Sequence, residues 1–380
     1  MSITCENEIV YPYRCSLIVI QPTPYCNLEC GYCYLNGKDE KHKIKVKTVT
    51  DSLLAILESG LIKGKTTIVW HAGEPLTMPI KYFEEILNAI RDIDPENVFR
   101  HCVQTNGTLI NEDWCDLFIR HNFDVGVSLD GPQDVNDIFR TDRKKRGSFQ
   151  RTIDGINLLK KNKISYHVIS VLTKYSLEKP KYLLDFFVNL GIERVGFNIE
   201  EVEGINTNSS SITLLDKIDR FWKLAHDYHI NEEVNIHIRE FDKYYNIISN
   251  SITNTNGKII NLNDQVKPFG IISISSKGDF STFSPELIGQ NSEVYGDFIF
   301  GNVGSGFGSM FDNNHFKKAF LDINEGVKRC YYECEYFKLC GGGSPSNKYY
   351  ENNGDLSSSK TLFCRNAIVS PIEVVLGALE

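Results

Sequence analysis

Strand-like and helix-like segments alternate between residues 15 and 200, and this alternation constrains the fold more than any other feature. The predicted strands cover residues 15–20, 66–70, 98–104, 123–129, 166–172 and 194–199. The predicted helices between them cover residues 47–61, 81–93, 112–121, 148–161 and 177–190. Strands that alternate with helices in this way indicate βαβ units and a parallel sheet. Six units predict an α/β fold with a partial (β/α)6 barrel of the TIM type rather than a closed eight-unit barrel.

The pattern changes after residue 205, which predicts more than one structural region. A helix is predicted over 214–228, and residues 245–265, rich in Asn, Ile, Ser and Thr, suggest an irregular connection. Short β-like runs surround residues 276–279. The predicted regions are an N-terminal segment (1–14), a partial barrel (15–205), a helical or irregular bridge (206–265) and a C-terminal domain (266–380).

Charge and hydropathy exclude several classes of protein. The chain has 41 basic and 49 acidic residues and a net charge of −8, which argues against nucleic acid as a partner. No apolar run is long enough for a membrane helix, so no membrane partner is expected. The N-terminus shows no basic segment followed by an apolar one, so no secretory signal is recognised and a cytoplasmic location is expected.

Cysteine is the most informative residue type, with eleven in the chain. Disulfides are disfavoured in a reducing cytosol, so clustered cysteines there indicate metal binding or chemistry. Seven of the eleven lie in two clusters. The first cluster contains Cys26, Cys30 and Cys33, and the second contains Cys330, Cys334, Cys340 and Cys364.

The first cluster follows the first predicted strand, at the edge of a parallel sheet where active sites lie. A structural zinc site takes four ligands, whereas a [4Fe–4S] cluster held by three cysteines leaves one iron open. The alternative is a zinc knuckle that borrows a fourth ligand such as His42. The C-x3-C-x2-C spacing, with the aromatic Tyr32 before the last cysteine, resembles the radical S-adenosylmethionine (radical SAM) superfamily. The resemblance implies that the open iron binds S-adenosylmethionine, whose cleavage gives a 5′-deoxyadenosyl radical.

Polar motifs at the other strand ends resemble further motifs of that superfamily. Residues 70–75, Trp-His-Ala-Gly-Glu-Pro, resemble its Gly-Gly-Glu-Pro motif, with Ala72 in place of the first glycine. The resemblance implies contacts with S-adenosylmethionine from Tyr32, Gly73, Glu74, Pro75, Gln104, Asn106, Ser128, Asp130 and Ser170. Either Arg140 or Arg143 would pair with its carboxylate, because a guanidinium fork suits that group. The sequence does not choose between these two arginines, and either is equally consistent with a surface position.

The second cysteine cluster suits a fully coordinated [4Fe–4S] cluster or a zinc ribbon on spacing alone. In the radical SAM context it resembles the C-terminal SPASM extension, which implies a SPASM-like domain over 266–380. A full SPASM domain has more cysteines and two auxiliary clusters. Here Ser344 stands where a ligand of the first auxiliary cluster is expected, and residues 271–290 contain no cysteine. We therefore expect one auxiliary [4Fe–4S] cluster, with the first one absent.

Further segments resemble the SPASM enzymes that form three-residue cyclophanes in peptides. These segments are Gly196–Gly204, Ser281–Gly289, Tyr295–Val303 and Cys340–Pro345. The resemblance implies an oxidoreductase that removes a Cβ hydrogen from a ribosomally synthesised precursor peptide and joins that carbon to an aromatic ring. It also implies a reductant such as flavodoxin or ferredoxin.

A carboxylate would take the ring proton. Glu200 and Glu201 are the candidates because they follow the sixth strand, and alternation turns only one of them inward. Three alternatives remain: a sulfatase-maturing (formylglycine-forming) enzyme, a thioether-forming enzyme and a non-enzymatic zinc-binding adaptor.

Overall fold

Six parallel strands form the centre of the computed structural model, which describes residues 9–10, 14–251, 259–260 and 263–380. They are β1 (Leu17–Ile20), β2 (Thr66–Trp70), β3 (Phe99–Thr105), β4 (Asp124–Ser128), β5 (Tyr166–Leu172) and β6 (Arg194–Ile199). Each strand pairs in parallel with the next one along the chain. The partial (β/α)6 barrel predicted from the alternation is therefore confirmed.

Helices connect these strands, as βαβ units require. They are α1 (Val46–Glu58), α2 (Ile80–Ile93), α3 (Glu112–Arg120), α4 (Gln133–Phe139), α5 (Phe149–Lys161), α6 (Lys174–Glu178) and α7 (Pro180–Asn189). The single helix predicted over 177–190 was wrong, because the chain breaks at Lys179, whose φ of −133° and ψ of 60° are not helical. Pro180 explains the break, since proline lacks an N–H group and disfavours helical geometry in the residue before it. Helix α4 was not predicted.

The sheet continues beyond the barrel on both sides. Strand β7 (His237–Ile238) pairs with β6, and β8 (Ile271–Ile274) pairs in parallel with β1. Strands β9 (Asp279–Thr282) and β10 (Gly301–Asn302) then add antiparallel neighbours. The β-like runs near 276–279 are thus the turn of a hairpin and the start of its second strand. The sheet crosses the boundary proposed at 265/266, and the division into domains stays a prediction.

Two helices form most of the described bridge, α8 (Leu215–Ile230) and α9 (Arg239–Ser251). The irregular connection predicted over 245–265 was wrong for residues 245–251, which belong to α9. Buried Phe241 and Tyr244 explain why a polar-looking segment is helical: they anchor one face of α9 in the core. Residues 252–258 and 261–262 lie outside the described part, as does most of the segment 1–14; Ile9–Val10 pairs in parallel with Ile259–Ile260.

The C-terminal region is built from one long helix and several short ones. They are α10 (Asn314–Glu333), α11 (Phe337–Cys340), α12 (Pro345–Glu351), a π-helix (Cys364–Val369) and α13 (Ser370–Gly377). Short 3₁₀ turns cover Pro75–Thr77, Asp264–Val266, Pro285–Leu287, Gly296–Phe298, Val303–Ser305 and Phe307–Asp312. The indole N–H of Trp222 on α8 donates to the Asn366 carbonyl across 2.8 Å, which fixes the C-terminal helices to the bridge. No helix in the described part of the chain is both long and apolar enough to cross a membrane.

Candidate active site

The first cysteine loop leaves β1 at the carboxyl edge of the sheet and is tied down by its backbone. The Cys26 N–H donates to the Lys38 carbonyl across 3.2 Å, and the Gly31 N–H donates to the Phe139 carbonyl across 2.9 Å. The thiols of Cys26, Cys30 and Cys33 are close enough to interact electrostatically. The structure therefore brings the three predicted ligands together on one held loop.

An amide and hydroxyl network locks this loop to the end of β3. The Asn106 side-chain N–H donates to Asn27 Oδ1 across 2.8 Å, and the Asn27 side-chain N–H donates to Thr108 Oγ1 across 2.9 Å. The Thr108 N–H completes the network by donating to Asn106 Oδ1 across 2.9 Å. Asn106 was predicted from the sequence, whereas Asn27 and Thr108 were not. The one feature of the sequence that could have indicated Asn27 and Thr108 is that both are polar and follow predicted strands.

The turn after β2 has the close backbone approach that its glycine allows. Gly73 has φ +65°, and a Cβ there would lie 2.2 Å from the Thr23 carbonyl oxygen, so no other residue fits. Ala72 also adopts a positive φ, 67°, at the position where the motif has its first glycine. Pro75 is buried and opens a 3₁₀ turn. This turn holds its backbone against the start of the first cysteine loop.

Glu74 is 1% exposed and accepts hydrogen bonds from both neighbouring elements. Its Oε1 accepts from the Thr105 hydroxyl at 2.7 Å and the Leu76 N–H at 3.0 Å, and its Oε2 accepts from the Asn106 N–H at 2.8 Å. Burial raises the pKa of Glu74, and these donors counter that effect. The carboxylate thus fixes the ends of β2 and β3 together, and its predicted contact with S-adenosylmethionine stays a prediction.

Arg140 lies buried beside the cysteine loop. Its Nη1 donates to the Tyr32 hydroxyl across 2.8 Å, and the Tyr32 hydroxyl donates to Asp130. Asp130 also accepts from the Val171 N–H across 3.1 Å, which ties the group to β5. Arg140 is 7% exposed, and its Nε has no hydrogen-bond partner among the residues that the structure describes. This guanidinium keeps a donor for a further anionic group.

Arg143, the other candidate for that anion, has its donors occupied. Its Nε and Nη2 donate to the Cys26 carbonyl at 3.2 and 3.0 Å, and Nη2 also donates to the Lys38 carbonyl at 2.8 Å. Its Nη1 pairs with Asp39. Arg143 therefore clamps the cysteine loop from outside, and the geometry favours Arg140 as the partner of a carboxylate.

The remaining predicted cofactor contacts lie on β3, β4 and β5. The Gln104 side-chain N–H donates to Ser128 Oγ across 3.0 Å, so these two residues are adjacent. Ser170 is 0% exposed, and within the described part of the chain its hydroxyl has no hydrogen-bond partner. The Ser170 side chain is thus enclosed within the barrel, and its predicted role stays a prediction.

The four cysteines of the second cluster line one small cavity. They lie on α10, just after it, on α11 and at the start of the π-helix. Gly341, Gly342 and Gly343 all have positive φ, which wraps the backbone around Cys340. The Gly343 N–H donates to Cys340 Sγ across 3.1 Å. Backbone N–H groups aimed at a cysteine sulfur are the hydrogen bonds that iron–sulfur sites use.

The donor sets of the two sites, three and four free thiols, are those that [4Fe–4S] clusters take. Within the described ranges, no three His, Cys, Asp or Glu side chains converge as ligands of one metal ion. A zinc ion needs sulfur ligands about 2.3 Å from one point, whereas a cubane cluster attaches each sulfur to its own iron. His42 contacts Ser276 Oγ at 2.5 Å and Glu40 at 3.4 Å. It is thus engaged elsewhere, which argues against the zinc knuckle.

A cavity of about 540 Å³ lies between the end of β6, helix α9 and the second cysteine site. Glu201, Glu286, Asn347 and Cys340 line it. A second cavity, of about 330 Å³, is lined by Tyr34 beside the first cysteine loop and by Ala72, and Glu286 lines it too. Glu286 therefore lines both cavities, one of which reaches the first cysteine loop and the other the second cysteine site.

The two carboxylates predicted as bases have different surroundings. Glu200 Oε2 accepts from the N–H of Ser210 at 2.8 Å and from its hydroxyl, so this side chain holds the loop after β6. Glu201 faces the 540 Å³ cavity and accepts from the Asn347 amide. Burial and the nearby carboxylates of Glu286 and Glu351 raise the pKa of Glu201 to about 8, against the lowering effect of Asn347. The alternation predicted for this pair thus turns Glu201 toward the cavity.

Two groups near this cavity were not predicted as part of a site. Glu203 is buried, and no described residue forms a hydrogen bond with its Oε1. Burial and the carboxylates of Glu201 and Glu286 raise its pKa. Ser344, at the position where a cysteine is expected, lies 3.2 Å from Ser284 Oγ and 2.9 Å from Ser346 Oγ. A hydroxyl network therefore occupies this wall of the cavity.

Comparison with known proteins agrees with this geometry. A family model described as the radical SAM superfamily matches residues 20–187. An uncharacterized protein of Synechocystis sp. is 40% identical over 377 residues, which is 96% of this chain and 92% of that protein. The chain belongs to the radical SAM superfamily. It is also similar to the cysteine-type anaerobic sulfatase-maturating enzyme of Clostridium novyi, at 25% identity over 92% of both chains.

Solved structures of two other proteins share the fold of this radical SAM enzyme. Native anSMEcpe with bound AdoMet and Kp18Cys peptide matches with a TM-score of 0.77 and 20% identity over 96% of this chain and 98% of that one. Streptococcus suis SuiB bound to precursor peptide SuiA matches with a TM-score of 0.67 and 20% identity over 92% and 76%. These matches extend over the C-terminal region, which confirms the fold class predicted from the SPASM resemblance.

Proposed function

We propose that this radical SAM enzyme joins a Cβ atom to an aromatic ring within a ribosomally synthesised peptide. The observation that carries the proposal is the 540 Å³ cavity, in which Glu201, with its raised pKa, and Cys340 of the second cysteine site line the same space. A peptide substrate is supported by the solved structures of similar fold that hold peptides.

Cys26, Cys30 and Cys33 would hold the [4Fe–4S] cluster that binds S-adenosylmethionine, with Arg140 facing the carboxylate of the latter. Cys330, Cys334, Cys340 and Cys364 would hold one auxiliary [4Fe–4S] cluster. When bound, these groups supply the radical that removes a hydrogen atom and an acceptor for one electron. A small reducing protein such as flavodoxin or ferredoxin would provide the electron that starts each turnover.

The chain's own contribution to the reaction is to hold the peptide and to take a proton. Forming the new carbon–carbon bond removes one hydrogen atom from Cβ, and the ring then loses one proton and one electron to become aromatic again. Glu201 is the proton acceptor in this proposal, because it faces the cavity and its pKa of about 8 suits a base near neutral pH. Glu200 holds the adjoining loop instead.

The experiment is anaerobic co-expression with short peptides encoded beside the gene, followed by mass spectrometry. Loss of two hydrogens per modified motif, with fragmentation blocked between the joined residues, is the expected result. Glu201→Gln should suppress the crosslink while 5′-deoxyadenosine still forms, and Glu200→Gln is the matched control at the adjacent position. An unmodified peptide in the presence of steady peptide-dependent 5′-deoxyadenosine formation would contradict the crosslinking chemistry.

A second function, oxidation of a cysteine or serine to formylglycine, is favoured by the relative from Clostridium novyi, which aligns over 92% of this chain. The same mass spectra separate the two. Formylglycine made from cysteine loses two hydrogens and exchanges sulfur for oxygen, whereas a crosslink keeps every sulfur. Formylglycine made from serine has the same mass change as a crosslink, but it leaves fragmentation between neighbouring residues unblocked. A thioether would also lose two hydrogens, but fragmentation would place the link at a cysteine.

A further inference from the structure

A lysine side chain is buried against the second cysteine site. Lys348 on α12 is 3% exposed, and its Nζ donates to Cys330 Sγ across 3.6 Å. Lys348 also lines the cavity that the four cysteines form. Among the residues that the structure describes, no carboxylate forms an ion pair with it. The contact with Cys330 places this charge at the cysteine site, and the carboxylate of Asp355 is also near enough to respond to it.

A glycine on α10 makes room for this side chain. A Cβ on Gly326 of α10 would lie 2.9 Å from Lys348 Nζ, and a Cβ on Gly343 would lie 3.7 Å from its Cε. The first of these distances is shorter than van der Waals contact. The absence of a side chain at Gly326 thus lets the ammonium group reach the sulfur.

Burying an ammonium group away from water is unfavourable unless negative charge faces it. Four cysteine thiolates around an iron–sulfur cluster provide that charge. The reduction potential of such a cluster depends on its net charge, on hydrogen bonds to its sulfurs and on solvent exposure. A buried N⁺–H···S contact adds positive charge at the site and a hydrogen bond to a sulfur. Both changes raise the reduction potential, because both stabilise the more negative, reduced state.

We propose that Lys348 raises the reduction potential of the auxiliary cluster and so makes that cluster a better electron acceptor. The electron would be the one that the aromatic ring releases, so this use of the cluster rests on the proposed function. The effect on the potential itself does not depend on any peptide. Lys348 acts here as a residue that tunes a cofactor, without touching the substrate.

The test is an anaerobic redox titration of the full chain followed by electron paramagnetic resonance, without peptide. Replacing Cys26, Cys30 and Cys33 by alanine leaves the auxiliary cluster as the only source of a paramagnetic resonance signal. In this background Lys348→Met should lower the ratio of reduced to oxidised cluster at a fixed solution potential by about tenfold. For a one-electron couple, this change corresponds to a fall of about 59 mV in the reduction potential of the cluster. Lys338→Met is the matched control, because it removes the same charge from an exposed side chain two residues before Cys340.

An unchanged potential in Lys348→Met, or an equal fall in Lys338→Met, overturns the proposal. If Lys348→Met does not retain iron, Lys348→Gln carries the same prediction with an amide in place of the ammonium. If neither variant retains iron, the contact is tested in the unsubstituted protein with isotopically labelled lysine. Magnetic coupling between the lysine nuclei and the cluster supports the contact, and absence of that coupling overturns the proposal. A wrong peptide chemistry would leave all of these results in place, so the two proposals fail separately.

Discussion

The rate of peptide crosslinking should rise with pH, because the proposed base is a carboxylate with a raised pKa. Burial together with the carboxylates of Glu286 and Glu351 raises the pKa of Glu201 to about 8. With that pKa, about one eleventh of Glu201 is ionised at pH 7 and about ten elevenths at pH 9. The single-turnover rate should therefore increase about tenfold across this interval and level off above it.

Glu286→Gln tests the cause of this pH dependence. The change removes a neighbouring negative charge, so the pKa of Glu201 should fall and the rise in rate should move to lower pH. Glu200→Gln should leave the profile in place, because that carboxylate serves the Ser210 loop. A shift of the pH profile to lower pH would show that Glu286 acts on Glu201 through its charge, whereas a residue that only fills space would leave the profile in place.

The assay mixes enzyme, reductant, S-adenosylmethionine and peptide at each pH and counts crosslinked peptide and 5′-deoxyadenosine in the same samples. The ratio of these two products isolates the steps that follow hydrogen-atom removal. A ratio that is flat between pH 6.5 and 9.5 would refute the assignment of Glu201. So would a Glu286→Gln profile that moves to higher pH.

Three further predictions concern the two cysteine sites. Gly73→Ala places a Cβ 2.2 Å from the Thr23 carbonyl oxygen at a positive φ, and should lower the free energy of unfolding by about 2–4 kcal/mol in denaturant titrations. Arg143→Met removes the donors to the Cys26 carbonyl, and should speed the loss of iron from the first cluster to a chelator, followed by its absorbance. Cys364→Ala should reduce the iron content from about eight to about four atoms per chain.

Each of these three predictions has a clear contrary result. Wild-type stability in Gly73→Ala would mean that the turn relaxes away from the first cysteine loop. Equal iron loss in Arg143→Met and in Arg146→Met, whose side chain is largely exposed, would remove the clamping role from Arg143. Eight iron atoms in Cys364→Ala, or zinc in place of iron in the unsubstituted protein, would contradict the cluster assignment.

The barrel was predictable because each strand and helix carries its own local signal. The strands at 66–70, 166–172 and 194–199 lie where their apolar runs predicted them. Helix α9 was not recognised over 245–251, because its polar residues outnumber the few aromatic side chains that anchor it. The break at Lys179 was missed because the helical spacing continues through Pro180.

The site was predictable to the level of motifs and no further. Spacing alone predicted the two cysteine sites, and the structure groups the thiols of each site, while their role as cluster ligands stays a prediction. The preference for Arg140 over Arg143, which stays a proposal, rests on burial, and no local pattern encodes burial. Asn27 and Lys348 gained their significance from partners far away in the chain, at Thr108 and Cys330.

The pairing of β8 with β1 limits how enzymes of this fold can be truncated or combined into chimeras. Ile271 stands opposite Leu17 and Ile274 opposite Ile20, so the strand that delivers the first cysteine loop has the C-terminal region as its direct neighbour. Truncation before Ile271 would leave β1 with a bare edge open to aggregation. Chimeras that exchange tails between relatives would have to preserve this register, and the spacing between the two cysteine sites would be inherited with it.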